Sequence, residues 1–213
     1  MYLTRMKLNI AKRDTMKALS CLNLLHGAIE EAFERSSDRK LWRIDNLNGI
    51  YYLMIVSSAE PDLSMAVHQF GYPESDHSWE SLSYDRFLEK LNEGTRWHFR
   101  LTANPTRSIS SGNGNTSRGT VYAHVGIKHQ KEWLLQHAEK NGFRVKEEEV
   151  SIVNSRWYSF RKKSSTNHKV TLLSVTYEGI LEITNKVLFQ KAMTTGIGRE
   201  KAYGQGMLTI VRR

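Results

Sequence analysis

One histidine in this chain stands where an imidazole can meet both a packed interior and an outside ligand. Ala18, Leu22, Leu25, Ile29 and Phe33 recur at spacings of four, three, four and four residues, the pattern of an amphipathic helix with a single apolar stripe. His26 falls about 60° from the centre of that stripe at ~100° per residue. Asn23 lies one turn earlier, further round towards solvent. An imidazole with an ordinary pKa near ~6.5 can take or give a proton at neutral pH. Spacing alone fits a half-buried, hydrogen-bonded histidine first and a proton-transfer group second.

Cations crowd three other stretches. Arg35, Arg39, Lys40 and Arg43 follow the helix closely, and Arg35 and Arg39 are candidates for stabilising charge on a phosphate. The run Thr195-Gly-Ile-Gly-Arg-Glu-Lys-Ala-Tyr-Gly-Gln-Gly-Met carries four of the chain's 14 glycines: Gly196, Gly198, Gly204 and Gly206. Glycine alone describes a bulged turn into a last strand, but Arg199 and Lys201 inside the run favour a phosphate contact. The run lacks the Gly-Lys-Ser/Thr of a P-loop and the third glycine of a dinucleotide fingerprint. Finally, Arg156-Trp-Tyr-Ser-Phe-Arg-Lys-Lys and Lys169-Val-Thr-Leu-Leu read as two arms of a β-hairpin. Arg161, Lys162, Lys163, His168 and Lys169 crowd its end, and Arg156, which opens the first arm, joins them as a candidate RNA-binding cation. Such a ribbon fits a polyanion probe and an ordinary solvated hairpin equally well.

With 213 residues, 39% of them hydrophobic, the chain can hold one large core or two small ones. A formal charge of +9 with 10% aromatic residues points first to nucleic acid and second to an anionic membrane surface. No stretch approaches the ~18 uninterrupted apolar residues of a membrane span, and the N-terminus is no signal peptide. A single cysteine, Cys21, leaves no internal disulfide or cysteine-based zinc site and fits a reducing cytoplasm. None of the histidines shows a metal-ligating helical spacing with an acidic partner.

The elements that must hold these groups alternate between periods of two and 3.6. Tyr2–Ile10 reads as a strand, and the His26 helix starts beyond Asp14 as its N-cap. A hairpin of Leu41–Asp45 and Ile50–Ser57 turns at Asn46-Leu-Asn-Gly, and a helix start falls at Pro61. The stretch Gly71–Asp85 reads as loop, Tyr84–Asn92 as a short helix, and Trp97–Ala103 as a strand. A polar, glycine-rich linker spans Ser108–Gly119. Beyond it come a strand at Thr120–Val125, a helix at Lys128–Asn141, the strands and hairpin of Val145–Ile183, a helix at Asn185–Thr194, the glycine run and a final strand. The expectation is an α+β chain of two tandem ferredoxin-like (RRM-like) βαββαβ domains, at residues 1–118 and 119–213.

Several segments together resemble the CRISPR repeat-processing endoribonucleases of type I-E systems, the CasE or Cse-type family. They are Met1-Tyr-Leu-Thr-Arg, His26-Gly, Arg100-Leu-Thr-Ala-Asn-Pro-Thr-Arg107, Phe143–Val145, Tyr177-Glu-Gly-Ile-Leu and the closing glycine run. The resemblance implies two ferredoxin-like domains, binding of a CRISPR repeat stem-loop, and one cut at the stem base needing neither metal nor other cofactor. It further implies that the protein stays on the mature crRNA and joins the type I-E surveillance complex, Cascade. His26 matches the family's catalytic histidine. Where relatives carry a tyrosine one turn earlier, this chain has Asn23, which can orient a group but cannot act as a phenolic acid or base. Arg100, Arg107 and, in the linker, Arg118 join the expected RNA-binding cations. The competing reading is a non-catalytic subunit that holds repeat or guide RNA on the same two domains.

Overall fold

Strands of alternating burial and helices with one apolar face give this chain two sheets, each covered on one side. The computed structural model describes residues 1–33, 38–109, 119–161 and 169–212. Its first elements are β1 (Tyr2–Leu8), α1 (Arg13–Ser20), α2 (Leu22–Glu31), β2 (Leu41–Leu47), β3 (Ile50–Ser57), α3 (Ser64–Phe70), β4 (Trp79–Ser83), α4 (Asp85–Glu89) and β5 (Arg96–Ala103). There follow β6 (Thr106–Ile109), β7 (Thr120–Ala123), α5 (Ile127–Lys140), β8 (Phe143–Arg161), β9 (Lys169–Ile183) and α6 (Lys186–Thr195). A 3₁₀ turn at Lys201–Tyr203 and β10 (Met207–Arg212) close the chain.

The two four-stranded sheets run β2-β3-β1-β4 and β10-β5-β9-β8, antiparallel throughout. Both are the strand order of a split βαβ unit, so the architecture is the expected pair of ferredoxin-like units. The expected β2–β3 hairpin forms around Asn48 (φ 53°) and Gly49 (φ 85°), the left-handed pair of a two-residue turn.

Strand membership departs from the sequence reading. Trp97–Ala103, expected to end the first unit, lies as β5 inside the second sheet between β9 and β10. The fourth strand of the first sheet is β4, in the stretch read as loop. Thr120–Val125, expected to open the second unit, supplies β7, which pairs only with β6 in a separate ribbon. The change of sheet therefore falls between Ser83 and Arg96, rather than at Gly119. Alternation shows that β5 has a face to bury, as Phe99, Leu101 and Ala103 do, but not against which sheet. The expected single helix is two, broken at Cys21 (φ −126°, ψ 85°), and Lys12 occupies the N-cap position of α1 without a side-chain capping bond, leaving Asp14 in the first turn. The expected stripe survives the break, for Ala18, Leu22, Leu25, Ile29 and Phe33 are all buried. β8 is one continuous strand of 19 residues with irregularities between Val145 and Val150 and between Ile152 and Asn154. No described helix is long and apolar enough to cross a membrane.

Two features lock the units together. Near their far ends the arms of the β8–β9 hairpin pass under the first unit, where Phe160 and Leu172 join the core of α1, α2, α3 and the first sheet. Between the sheets lies Arg43. The sequence reading counts it among the RNA-binding cations, but the structure leaves it 2% exposed. Its Nε and Nη2 donate to the two carboxylate oxygens of Asp45, each at 2.7 Å. Nη1 donates to the carbonyls of Arg100 and Met207 at 2.9 and 3.0 Å, and Nη2 also to Thr209 Oγ1 at 2.8 Å. All five N–H groups of the guanidinium thus meet protein acceptors, so it braces the sheets and holds no donor for a phosphate. Arg100 completes the cluster, donating to Asp45 at 3.1 Å and to Glu178.

Burial pushes the Asp45 carboxyl up and Arg43 and Arg100 pull it down, leaving it below its ordinary 3.8. A lowered folded-state value contributes stability that is present above the ordinary carboxylate pKa and lost as pH falls through the lowered one. Asp45→Ala leaves Arg43 charged and unpaired inside, and should cost about 3–5 kcal/mol of unfolding free energy by urea titration at neutral pH. A loss below about 1 kcal/mol would show that the brace does not hold the sheets.

Candidate active site

The α2 helix buries Leu22, Leu25 and Ile29 and leaves His26 on its shoulder, its side chain 31% exposed. One turn on, Glu30 Oε1 lies 3.8 Å from His26 Nδ1, while its Oε2 accepts a 2.9 Å bond from Lys40 Nζ. Lys40 also sits over the Phe33 ring at 5.3 Å. The imidazole meets the ring of Tyr203 edge to face at 5.8 Å and 76°, and Tyr203 meets Phe160 of the hairpin arm in the same way at 4.9 Å. The histidine is therefore held between its own helix, the glycine run and an arm of the hairpin.

The glycine run reaches His26 because it packs flat against β2. Gly204 has φ 72°, and a Cβ there would stand 2.9 Å from the Trp42 ring. At Gly196, φ 76°, a Cβ would stand 2.6 Å from Leu41 Cδ2. Trp42 Nε1 donates to the Ala202 carbonyl at 3.2 Å, and Gly206 N donates to Thr102 O at 2.6 Å. The expectation that Gly196 cradles a phosphate is corrected by this packing, its N–H being bonded to the Ala192 carbonyl at 2.9 Å. Gly196 is buried against Leu41, whereas Gly198 does reach the site. What the close approach achieves is to plant Arg199, Glu200, Lys201 and Ala202 opposite His26.

Between them opens a cleft of about 620 Å³ whose walls include His26, Arg39, Lys40, Trp42, Arg199 and Lys201. Glu30, Asp38 and Glu200 also line it, so four cations face three carboxylates around one imidazole. Burial, and then the neighbouring Arg39 charge, hold the Lys201 ammonium below its ordinary value. Its Nζ donates to the Thr195 carbonyl at 2.8 Å, which aims it along the cleft wall.

The structure thus brings together His26, Arg39, Gly198, Arg199 and Lys201 from the sequence-predicted set. Asn23 is half-buried on α2 and is not among the described residues lining the cleft. Arg100 is tied to Asp45 and Glu178, and Arg107 lies exposed on the β6–β7 ribbon. Arg156, Arg161 and Lys169 are exposed along the hairpin arms, with Arg161 directly across from Lys169. Arg35, Arg118, Lys162, Lys163 and His168 lie outside the described residues. The sequence reading missed Glu30, Trp42 and Tyr203. Glu30 was legible as the residue four places after His26, but the two aromatic contacts come from distant parts of the chain.

Two ferredoxin-like units with a basic hairpin and a histidine set among arginines and lysines define a class of tandem ferredoxin-like α+β proteins. Within that class the chain belongs to the CRISPR associated protein family, whose sequence model matches residues 1–212. It is 28% identical over 223 residues to the CRISPR-associated endoribonuclease Cse3 of Thermus thermophilus, covering 99% of each protein. Among solved structures, CRISPR endoribonuclease Cse3 bound to 19 nt RNA superposes with a TM-score of 0.75 at 24% identity, over 99% of this chain and 100% of that one. A CRISPR-associated protein, Cas6e from Escherichia coli str. K-12, does so with a TM-score of 0.65 at 21% identity over the whole of both chains. Both structural likenesses establish the fold.

Gly204→Ala forces a side chain into left-handed backbone against Trp42, and should lower the unfolding free energy by about 1–3 kcal/mol in chemical denaturation. A change within ~0.5 kcal/mol would mean that the glycine run does not depend on this contact.

Proposed function

We propose that this chain is an endoribonuclease that binds the stem-loop of CRISPR repeat RNA and cuts it once at the base of the stem. The observation that carries the proposal is the placement of His26, partly exposed at the wall of a cleft that also presents Arg39, Arg199 and Lys201. The full-length similarity to a protein named as a CRISPR-associated endoribonuclease supports it.

RNA carries its own nucleophile. The ribose 2′-oxygen attacks the adjacent phosphorus, a P–O bond forms, and the bond to the 5′-oxygen breaks. One proton leaves the 2′-hydroxyl and one reaches the departing 5′-oxygen, so the products are a 2′,3′-cyclic phosphate and a 5′-hydroxyl. His26 transfers one of these protons, with Glu30 beside it to steady the ring when charged. Arg39, Arg199 and Lys201 balance the negative charge that builds on the phosphate oxygens. The lowered ammonium pKa makes Lys201 the readier proton source among these cations. The Arg161–Lys169 end of the hairpin grips the stem through its phosphates, since the deep, narrow major groove of A-form RNA resists base reading. The processed RNA stays bound, and the protein then serves as a subunit of a surveillance complex.

The test is incubation with labelled repeat RNA and end-group analysis. His26→Ala should slow cleavage about 10²–10⁴-fold and leave affinity within about threefold. A bandshift without shortening by the unmodified protein would make the chain a holder of RNA, which is the role that Asn23 in place of the family's tyrosine would fit. Cutting should persist in excess EDTA, and activity lost to EDTA and restored by Mg²⁺ would overturn the metal-independent chemistry.

A further inference from the structure

A second hollow, about 490 Å³, opens where β2 and α1 of the first unit face β8 of the second. Its walls carry Ile44, Asn46, Tyr51, Asn154, Arg156 and Tyr158. A smaller hollow bounded by Trp42, Ile44, Tyr158 and Tyr203 lies between the two: Trp42 also lines the His26 cleft, and Ile44 and Tyr158 line the larger hollow. Along β8 the order is informative. Asn154, Arg156 and Tyr158 border the hollow, Phe160 packs on Tyr203 beside His26, and Arg161 stands across from Lys169 at the end of the arms. The distance from Asn154 to Phe160 is about 20 Å at ~3.3 Å per residue.

We propose that this hollow binds unpaired RNA nucleotides that leave the base of the stem, a proposal that rests on the stem-loop reading above. If the stem occupies the Arg161–Lys169 end and its base meets His26, a single strand continuing away from the duplex runs along β8 into the hollow. The lining suits that ligand. The Arg156 guanidinium lies over the Tyr158 ring at 4.9 Å, and its open face offers a flat cationic surface on which a base can stack. The Asn154 amide holds both a donor and an acceptor for base edges, Asn46 offers its amide N–H groups while its Oδ1 accepts from Gly49 N at 2.9 Å, and Ile44 gives an apolar floor. Arg100 also borders the hollow, but Asp45 and Glu178 already balance its charge. The hollow is thus built for one or two bases rather than for a run of phosphates.

The experiment uses a repeat hairpin with a 2′-deoxy sugar at the scissile position, which removes the nucleophile and allows binding to be measured without turnover. Three forms are compared by equilibrium binding: blunt, with a short unpaired 5′ flank, and with a short unpaired 3′ flank. One flanked form should bind about tenfold more tightly than the blunt form, and whichever flank does so identifies the strand. In Asn154→Ala and Tyr158→Leu that ratio should fall to about one; Asn154 is exposed, so its variant keeps the test valid if the Tyr158 variant fails to fold. A ratio near one for both flanks with the unmodified protein, or a ratio unchanged in Asn154→Ala, overturns the proposal. A cleavable all-ribose hairpin carrying both flanks runs in parallel, since a cut at the stem base needs a nucleotide beyond it to leave with the 5′-hydroxyl. If it is cut while the flanks add nothing, only the hollow loses its role. If it is neither bound nor shortened, the stem-loop reading fails and the hollow's role with it.

Discussion

A buried guanidinium decides how the two halves of this protein face each other. Arg43 stands on β2, the edge strand of the first sheet, yet three of its acceptors belong to β5 and β10 of the second. A charged group in the interior adds little net stability, because removing it from water offsets most of what pairing returns. What it does impose is geometry, since five fixed N–H directions are satisfied together in one placement of the sheets. Side chains alternate along β2, so the same strand that turns Arg43 to the brace turns Trp42 to the opposite face. That face forms part of the wall of the His26 cleft and the floor under Gly204. Fixing β2 therefore fixes the site.

The glycine run shows how packing can imitate a ligand signature. Glycines with arginine and lysine between them read as a phosphate loop, yet Gly196 and Gly204 lack a Cβ because Leu41 and Trp42 occupy the space. The cations are delivered by this fit rather than accompanied by it. Left-handed backbone at Glu200 (φ 58°) turns the chain into the 3₁₀ turn that carries Lys201 and Tyr203. One side of that turn lines the cleft and the other backs the imidazole. Loop anchoring and histidine orientation are consequently one arrangement, and the hairpin joins it through Phe160.

Local periodicity carried much of this into the sequence. The stripe from Ala18 to Phe33 put His26 on a shoulder, and the structure keeps it there despite the break at Cys21. The Asn48-Gly49 turn was legible because the left-handed pair it needs has its own residue preference. Sheet membership was not, because a strand's alternation records a buried face and says nothing of the partner. β4 was hidden for a related reason: flanking serines, aspartates and a proline outweighed five residues of weak alternation. Arg43 illustrates the limit for sites. Its side chain is the same whether it meets phosphate or Asp45, and only the strand's depth between two sheets decides. Tyr203 needed a contact across 177 positions of chain, from 26 to 203, which no spacing rule spans.

Charge in the cleft then separates two roles that composition blends. The chain as a whole is strongly basic at +9, and such a field draws polyanions in from a distance, weakening as salt screens it. At the cleft itself the lining is mixed, with Lys40 paired to Glu30 and Asp38 accepting from Ser58 Oγ at 2.7 Å. A uniformly positive cleft would hold substrate and product phosphates alike and gain nothing for the reaction. Glu30 beside the imidazole and Lys40 makes their response depend on where charge develops, because Lys40 is already balanced until a phosphate oxygen gains charge near it. The protein attracts with its whole surface and discriminates with seven ionic side chains around one histidine.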